Sequence, residues 1–132
     1  MNIVIDTSVV ISVITNEKHK DKLIEITKGS NLVAPSSLPW EMGNAFTAMF
    51  KRKRITLKKA KMALEYYKQI PLRFVDVPIY ESMEIGQKLD IYAYDAYFIV
   101  CAKKLTSPLL SLDNSLLKAA EKVGVKIIEV KK

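Results

Sequence analysis

Short apolar runs alternate with longer amphipathic stretches along this chain, the spacing expected of strands and helices in turn. Ile3-Val4-Ile5 runs straight into Asp6, and such a continuous β-branched run predicts a buried strand over 2–6. Helices are expected around 7–15 and 18–28, then a strand over 32–35. Ser36-Ser37-Leu38-Pro39 starts a helix over roughly 39–52, proline being tolerated in a first turn. A second helix over about 56–69 follows, with Thr56 as its N-cap. Residues 72–77 read as a strand closed by Pro78, followed by helices near 79–89 and 94–105. The chain ends with a strand over 108–112, a helix over 114–123 stopped by Gly124, and a strand over 126–130. This alternation predicts an α/β fold of three layers, a central mainly parallel sheet flanked by helices. Right-handed crossovers would then bring the loops that follow the strands to one edge.

The apolar pattern gains a chemical meaning from the acids that interrupt it. Asp6 ends the first strand and precedes Thr7 and Ser8. At the carboxyl edge of a parallel sheet it would lie where open α/β folds place their ligands. Asp113 repeats the arrangement, closing Leu109-Leu110-Ser111-Leu112 before Asn114-Ser115. Glu41 falls in the first turn of its helix, sharing a face with Ala45 and Ala48, small residues that would allow close packing on the sheet. Asp95 opens an apolar helix in Ala93-Tyr94-Asp95-Ala96-Tyr97. Each acid alone also suits an N-cap or a favourable position against the helix dipole. Asp76 reads as the end of an edge strand and Asp90 as an ordinary turn residue.

Composition narrows the chemistry. At 132 residues, 49% hydrophobic, with 4 Gly and 5 Pro, the chain should form one globular domain over 1–132. With His19 its only histidine and Cys101 its only cysteine, it lacks the ligands for a zinc site and the partners for Cys/His nucleophilic catalysis. Cys101, inside Ile99-Val100-Cys101-Ala102, is expected in a buried helix interior. No stretch reaches the roughly 18 apolar residues of a membrane span, and no basic leader precedes the first apolar run, so a cytoplasmic location is expected. The net charge of +7 is matched by seven basic residues between Lys51 and Lys61 with no acid among them. Lys51, Arg52, Lys53 and Arg54 head that run, which suits either a polyanionic substrate or a solvated helix face.

Taken together, these pieces resemble the PIN domain family, most closely its VapC-type toxin ribonucleases. The likeness rests on Ile3-Val4-Ile5-Asp6-Thr7-Ser8, Pro39-Trp40-Glu41-Met42-Gly43-Asn44-Ala45, Tyr94-Asp95-Ala96-Tyr97 and Leu110-Ser111-Leu112-Asp113, in that order along the chain. The closing Ala119-Ala120-Glu121-Lys122-Val123-Gly124-Val125-Lys126-Ile127-Ile128 resembles the family's last helix and strand. The resemblance implies that Asp6, Glu41, Asp95 and Asp113 are the catalytic acids and metal ligands, with Thr7 or Ser8 and Ser111 as hydroxyl helpers. It also implies a Mg²⁺- or Mn²⁺-dependent endoribonuclease, usually a homodimer, inhibited by a cognate antitoxin.

Elementary electrostatics agrees with a cation. Carboxylates about 5 Å apart repel by on the order of 3 kcal/mol per pair at an effective dielectric of about 20, so some must take up protons or share a cation. Oxygen-only ligands favour Mg²⁺ or Mn²⁺. A haloacid-dehalogenase-like phosphatase would need a second Asp where Ser8 stands. An RNA-processing PIN nuclease without an antitoxin, or a PIN-like module that binds without cutting, remain the alternatives.

Overall fold

The computed structural model describes residues 1–130. Five strands, β1 (Asn2–Ile5), β2 (Asn31–Pro35), β3 (Leu72–Val75), β4 (Leu109–Leu110) and β5 (Ile127–Ile128), form one sheet in the order β3-β2-β1-β4-β5. Every pairing is parallel. Ile3, Val4 and Ile5 are buried at its centre, as a strand covered on both faces requires.

Seven helices connect these strands: α1 (Thr7–Ile14), α2 (Lys20–Thr27), α3 (Leu38–Lys51), α4 (Leu57–Tyr67), α5 (Ile79–Leu89), α6 (Ala93–Leu105) and α7 (Asn114–Lys122). From β1 the chain steps outward to β2 and β3, then crosses back past β1 to β4 and β5. Right-handed crossovers therefore put α1–α4 on one face and α5–α7 on the other. The packing follows this division: α1 touches α2, α3 and α4, whereas α6 lies across β1, β2 and β4 beside α5. The three-layer α/β expectation holds, and the sheet is wholly parallel.

Element ends are where the structure departs from expectation. β4 holds two residues instead of the five expected, because Pro108 has no N–H to donate and the Ser111 hydroxyl turns toward Asp6. β3 stops at Val75, whose carbonyl accepts the Ser36 N–H at 3.0 Å before the chain turns away at Asp76. Thr56 caps α4 as expected, its hydroxyl accepting from Lys59 N at 3.2 Å. Cys101 is fully buried, and burial pushes its thiol up to about 11.

The topology fixes one special place. β1 and β4 are neighbours, yet the chain leaves them toward opposite edges of the sheet, so their carboxyl ends flank a topological switch point. Asp6 follows β1 and Asp113 lies just beyond β4.

Candidate active site

Asp6 anchors the site. It is the N-cap of α1 and is 5% exposed. Its Oδ1 accepts from the Ser8 hydroxyl at 2.7 Å and from Val9 N at 3.3 Å. Its Oδ2 accepts from the Ser111 hydroxyl at 2.8 Å across the switch point. Ser8 and Ser111 in turn accept from Leu112 N at 3.1 Å and Asp113 N at 2.9 Å. One carboxylate and two hydroxyls thus tie the β1–α1 junction to the β4–α7 junction. Burial lifts the Asp6 carboxyl to about 6 despite these donors, and the nearby Asp113 charge raises it slightly further.

Asp113 is exposed and caps α7, its Oδ1 accepting from Ser115 N at 2.9 Å and Leu116 N at 3.3 Å. For Asp6 and Asp113 the capping role and the site position therefore coincide. The N-cap geometry aims each carboxylate back over its own helix start, at the carboxyl edge of the sheet.

Glu41 is half-buried in the first turn of α3. Burial raises its carboxyl to about 7, and the Thr7 hydroxyl opposes that rise. Asp6, Asp95 and Asp113 all push it upward. Thr7 Oγ1 and Glu41 Oε2 are both buried without a hydrogen-bond partner among the described residues. The hydroxyl thus faces the carboxylate without completing a bond to it. The expected packing face of this helix is not the observed one. Leu38, Met42 and Phe46 form the buried ridge of α3, while Ala48 is exposed and Ala45 half-buried. Large apolar side chains at i, i+4 and i+8 bury more area than the alanines, so they turn into the core on the α1 side and leave Glu41 on the flank.

Asp95 is half-buried in the first turn of α6, and its carboxyl is raised by burial and then by Asp113. The four acids thus come from four separate segments to one edge, each within electrostatic reach of another. Among the described residues no three Asp, Glu, His or Cys side chains are close enough together to grip a metal ion as arranged. Mutual repulsion favours that spacing. The donor set nevertheless suits a hard divalent cation: it contains only oxygen, and the Glu41 oxygen is buried without a partner.

The other sequence candidates lie outside this cluster. Lys51 ends α3, and Lys51, Arg52, Lys53 and Arg54 are all exposed. Ten residues of helix separate Lys51 from Glu41, about 15 Å along the axis. Asp76 accepts from the Ser36 hydroxyl at 2.7 Å on the β2–β3 side of the same edge. Three aromatic side chains border the site and carried no weight in the sequence reading: Trp40, Tyr94 and Tyr97. The available signal was adjacency, since Trp40 precedes Glu41 and Tyr94 precedes Asp95.

Among the described residues no helix is long and apolar enough to cross a membrane. No curated protein matches the chain in sequence. Many solved chains share its fold, two of which illustrate the likeness. PAE2754 from Pyrobaculum aerophilum superposes with a TM-score of 0.72, covering 98% of this chain and 92% of that one at 20% identity. A chain of VapBC2 from Rickettsia felis, solved bound to a DNA fragment from their promoter, gives a TM-score of 0.69 with 98% of both chains covered at 13% identity. The PIN domain family matches residues 3–122, a span that holds all four acids. The chain belongs to the PIN domain family, whose members are generally nucleases.

Proposed function

We propose that this chain is a metal-dependent endoribonuclease that hydrolyses RNA phosphodiester bonds and serves as the toxin of a toxin–antitoxin pair. The observation that carries the nuclease reading is the approach of Asp6, Glu41, Asp95 and Asp113 to one edge of the sheet, each within electrostatic reach of another. The toxin role is favoured by the shared fold with VapBC2 over 98% of both chains. A cognate antitoxin and a homodimeric state belong to the same reading, as does a cytoplasmic location.

Asp6 and Asp95 would be the primary ligands of a Mg²⁺ or Mn²⁺ ion, with Glu41 and Asp113 completing the set. When bound, such an ion activates water and stabilises charge on the phosphate. The protein's share is orientation and protonation. Ser8 and Ser111 hold both Asp6 oxygens by their hydroxyls, fixing the carboxylate before any substrate arrives. In the metal-free chain burial raises Glu41 to about 7, so a cation that draws on this carboxylate would displace a proton from part of the population at neutral pH. Lys51, Arg52, Lys53 and Arg54 would hold the RNA backbone at a distance from the scissile bond, without selecting sequence.

Incubating the purified protein with structured RNA tests this reading. Cleavage is expected with Mn²⁺ and none with EDTA. In the same assay, exchanging those four basic residues for Gln should weaken binding and flatten its dependence on salt. Cleavage that survives EDTA would remove the metal from the account. An unchanged salt slope would detach the basic segment from RNA.

A further inference from the structure

A cleft of about 400 Å³ opens beside the acids at the same edge of the sheet, between the loops that follow β2 and β3. Its walls are Trp40, Ile79, Tyr94 and Tyr97, with Val77 between them. Trp40 is 72% exposed, Ile79 64% and Tyr94 40%, and because they line one cleft they form a contiguous apolar patch of the kind that marks a binding site. Tyr97 meets Tyr94 edge to face, with ring centroids 6.0 Å apart and planes at 84°, a geometry that fixes the direction of the Tyr94 ring. Both aromatic walls are chained to the site, since Trp40 shares a helical turn with Glu41 and Tyr94 with Asp95.

Charge decides what such a cleft accepts. No Lys or Arg lines it, and its one charged side chain is Asp76. The Lys104 ammonium donates to the Asp76 carbonyl at 3.0 Å behind the rim and offsets that charge, so the walls offer no cationic seat for a phosphate, whereas a neutral planar ring gains from every aromatic wall. Asp76 and Ser36 at the rim offer acceptors to the amino groups of a base or to a ribose hydroxyl.

We propose that this cleft is a base-stacking subsite, in which an unpaired base next to the scissile phosphate of single-stranded RNA lies against Trp40 and Tyr94. The inference rests on the ribonuclease reading above and adds to it the two side chains of this protein, Trp40 and Tyr94, that would hold the base beside the scissile phosphate. Bases held in a duplex are stacked on their own neighbours and present no free face, so the subsite selects unpaired RNA. Stacking on aromatic rings tolerates any base, so it does not by itself select a sequence.

Trp40 is the only tryptophan in the chain, so its fluorescence reports on the cleft alone. Indole emission is followed while the protein, in Mg²⁺ buffer, is mixed rapidly with a single-stranded oligouridylate or with an RNA duplex, and cleavage is scored in the same samples. Saturable quenching by the single strand and little response to the duplex are expected. Trp40→Ala should raise KM for the single strand by about 5- to 150-fold with kcat roughly unchanged, and Trp40→Phe should keep KM near the native value. Cleavage of the single strand with undisturbed indole emission and an unchanged KM in Trp40→Ala would overturn the subsite and leave the nuclease reading standing. RNA neither bound nor cut would overturn both. If Trp40→Ala converts a dimer to a monomer without moving KM, the patch belongs to a second copy of the chain, and the subsite is overturned.

Discussion

Asp6→Asn should reduce RNA cleavage by about 100-fold or more while leaving the fold intact and making the metal-free protein harder to unfold at pH 7.5. The two effects have one cause. Asp6 is buried and its carboxyl is raised to about 6, so at pH 7.5 the protein holds an ionised group where burial disfavours charge. Asn keeps the shape and removes the charge. With the amide oxygen in the Oδ1 place, Ser8 and Val9 N still donate to it, and Ser111, which donates to Oδ2 at 2.8 Å, can rotate to accept from the new NH2, because a hydroxyl does both. Circular dichroism with a thermal scan, run beside a cleavage assay, checks both halves. A variant that cuts RNA as well as the native chain would remove Asp6 from the chemistry. One that melts lower at pH 7.5 would make its role structural.

The second large effect is on stability against pH. Asp6 and Glu41 have folded-state values of about 6 and about 7, raised from ordinary values of 3.8 and 4.5. Between roughly pH 4 and pH 7 the folded chain therefore binds more protons than the unfolded one, and stability falls as pH rises through that window. For Asp6, a shift of about two units amounts to on the order of 3 kcal/mol. Glu41 adds a smaller share, since it is only partly shielded from water. The metal-free protein should melt about 5–10 °C higher at pH 5 than at pH 7.5, opposite to the usual behaviour of carboxylates paired with cationic groups. Excess Mg²⁺ at pH 7.5 should recover most of that loss, because a cation binds the ionised acids and favours the folded state. A melting temperature that rises between pH 5 and pH 7.5 would contradict the raised values.

Much of this was legible in the sequence because the informative signals are local. An apolar run ending in Asp just before a hydroxyl-bearing helix start marks a buried strand meeting a helix, at Asp6 after Ile3-Val4-Ile5 and again at Asp113 after Leu109-Leu110-Ser111-Leu112. Thr7 and Ser8, equivalent in the sequence as candidates for one supporting role, divide it: Ser8 binds Asp6 and Leu112 N, while Thr7 faces Glu41. Which face of α3 packs inward was not legible. The alanines promised close approach, but the ridge of Leu38, Met42 and Phe46 buries more apolar area and sets the rotation of the helix. The spacing of the acids was not legible either, since it depends on how four segments settle around like charges. The aromatic cleft was missed because Trp40, Tyr94 and Tyr97 belong to different helices and meet only in the folded chain.

Binding of Mn²⁺ at pH 7.5, measured by calorimetry on the native protein and on Asp6→Asn and Asp95→Asn, bears most directly on whether these acids act as one cation site. Saturable binding by the native chain, weakened at least about tenfold in each variant, is the predicted result. Equal binding by all three proteins, or none by the native one, would contradict it.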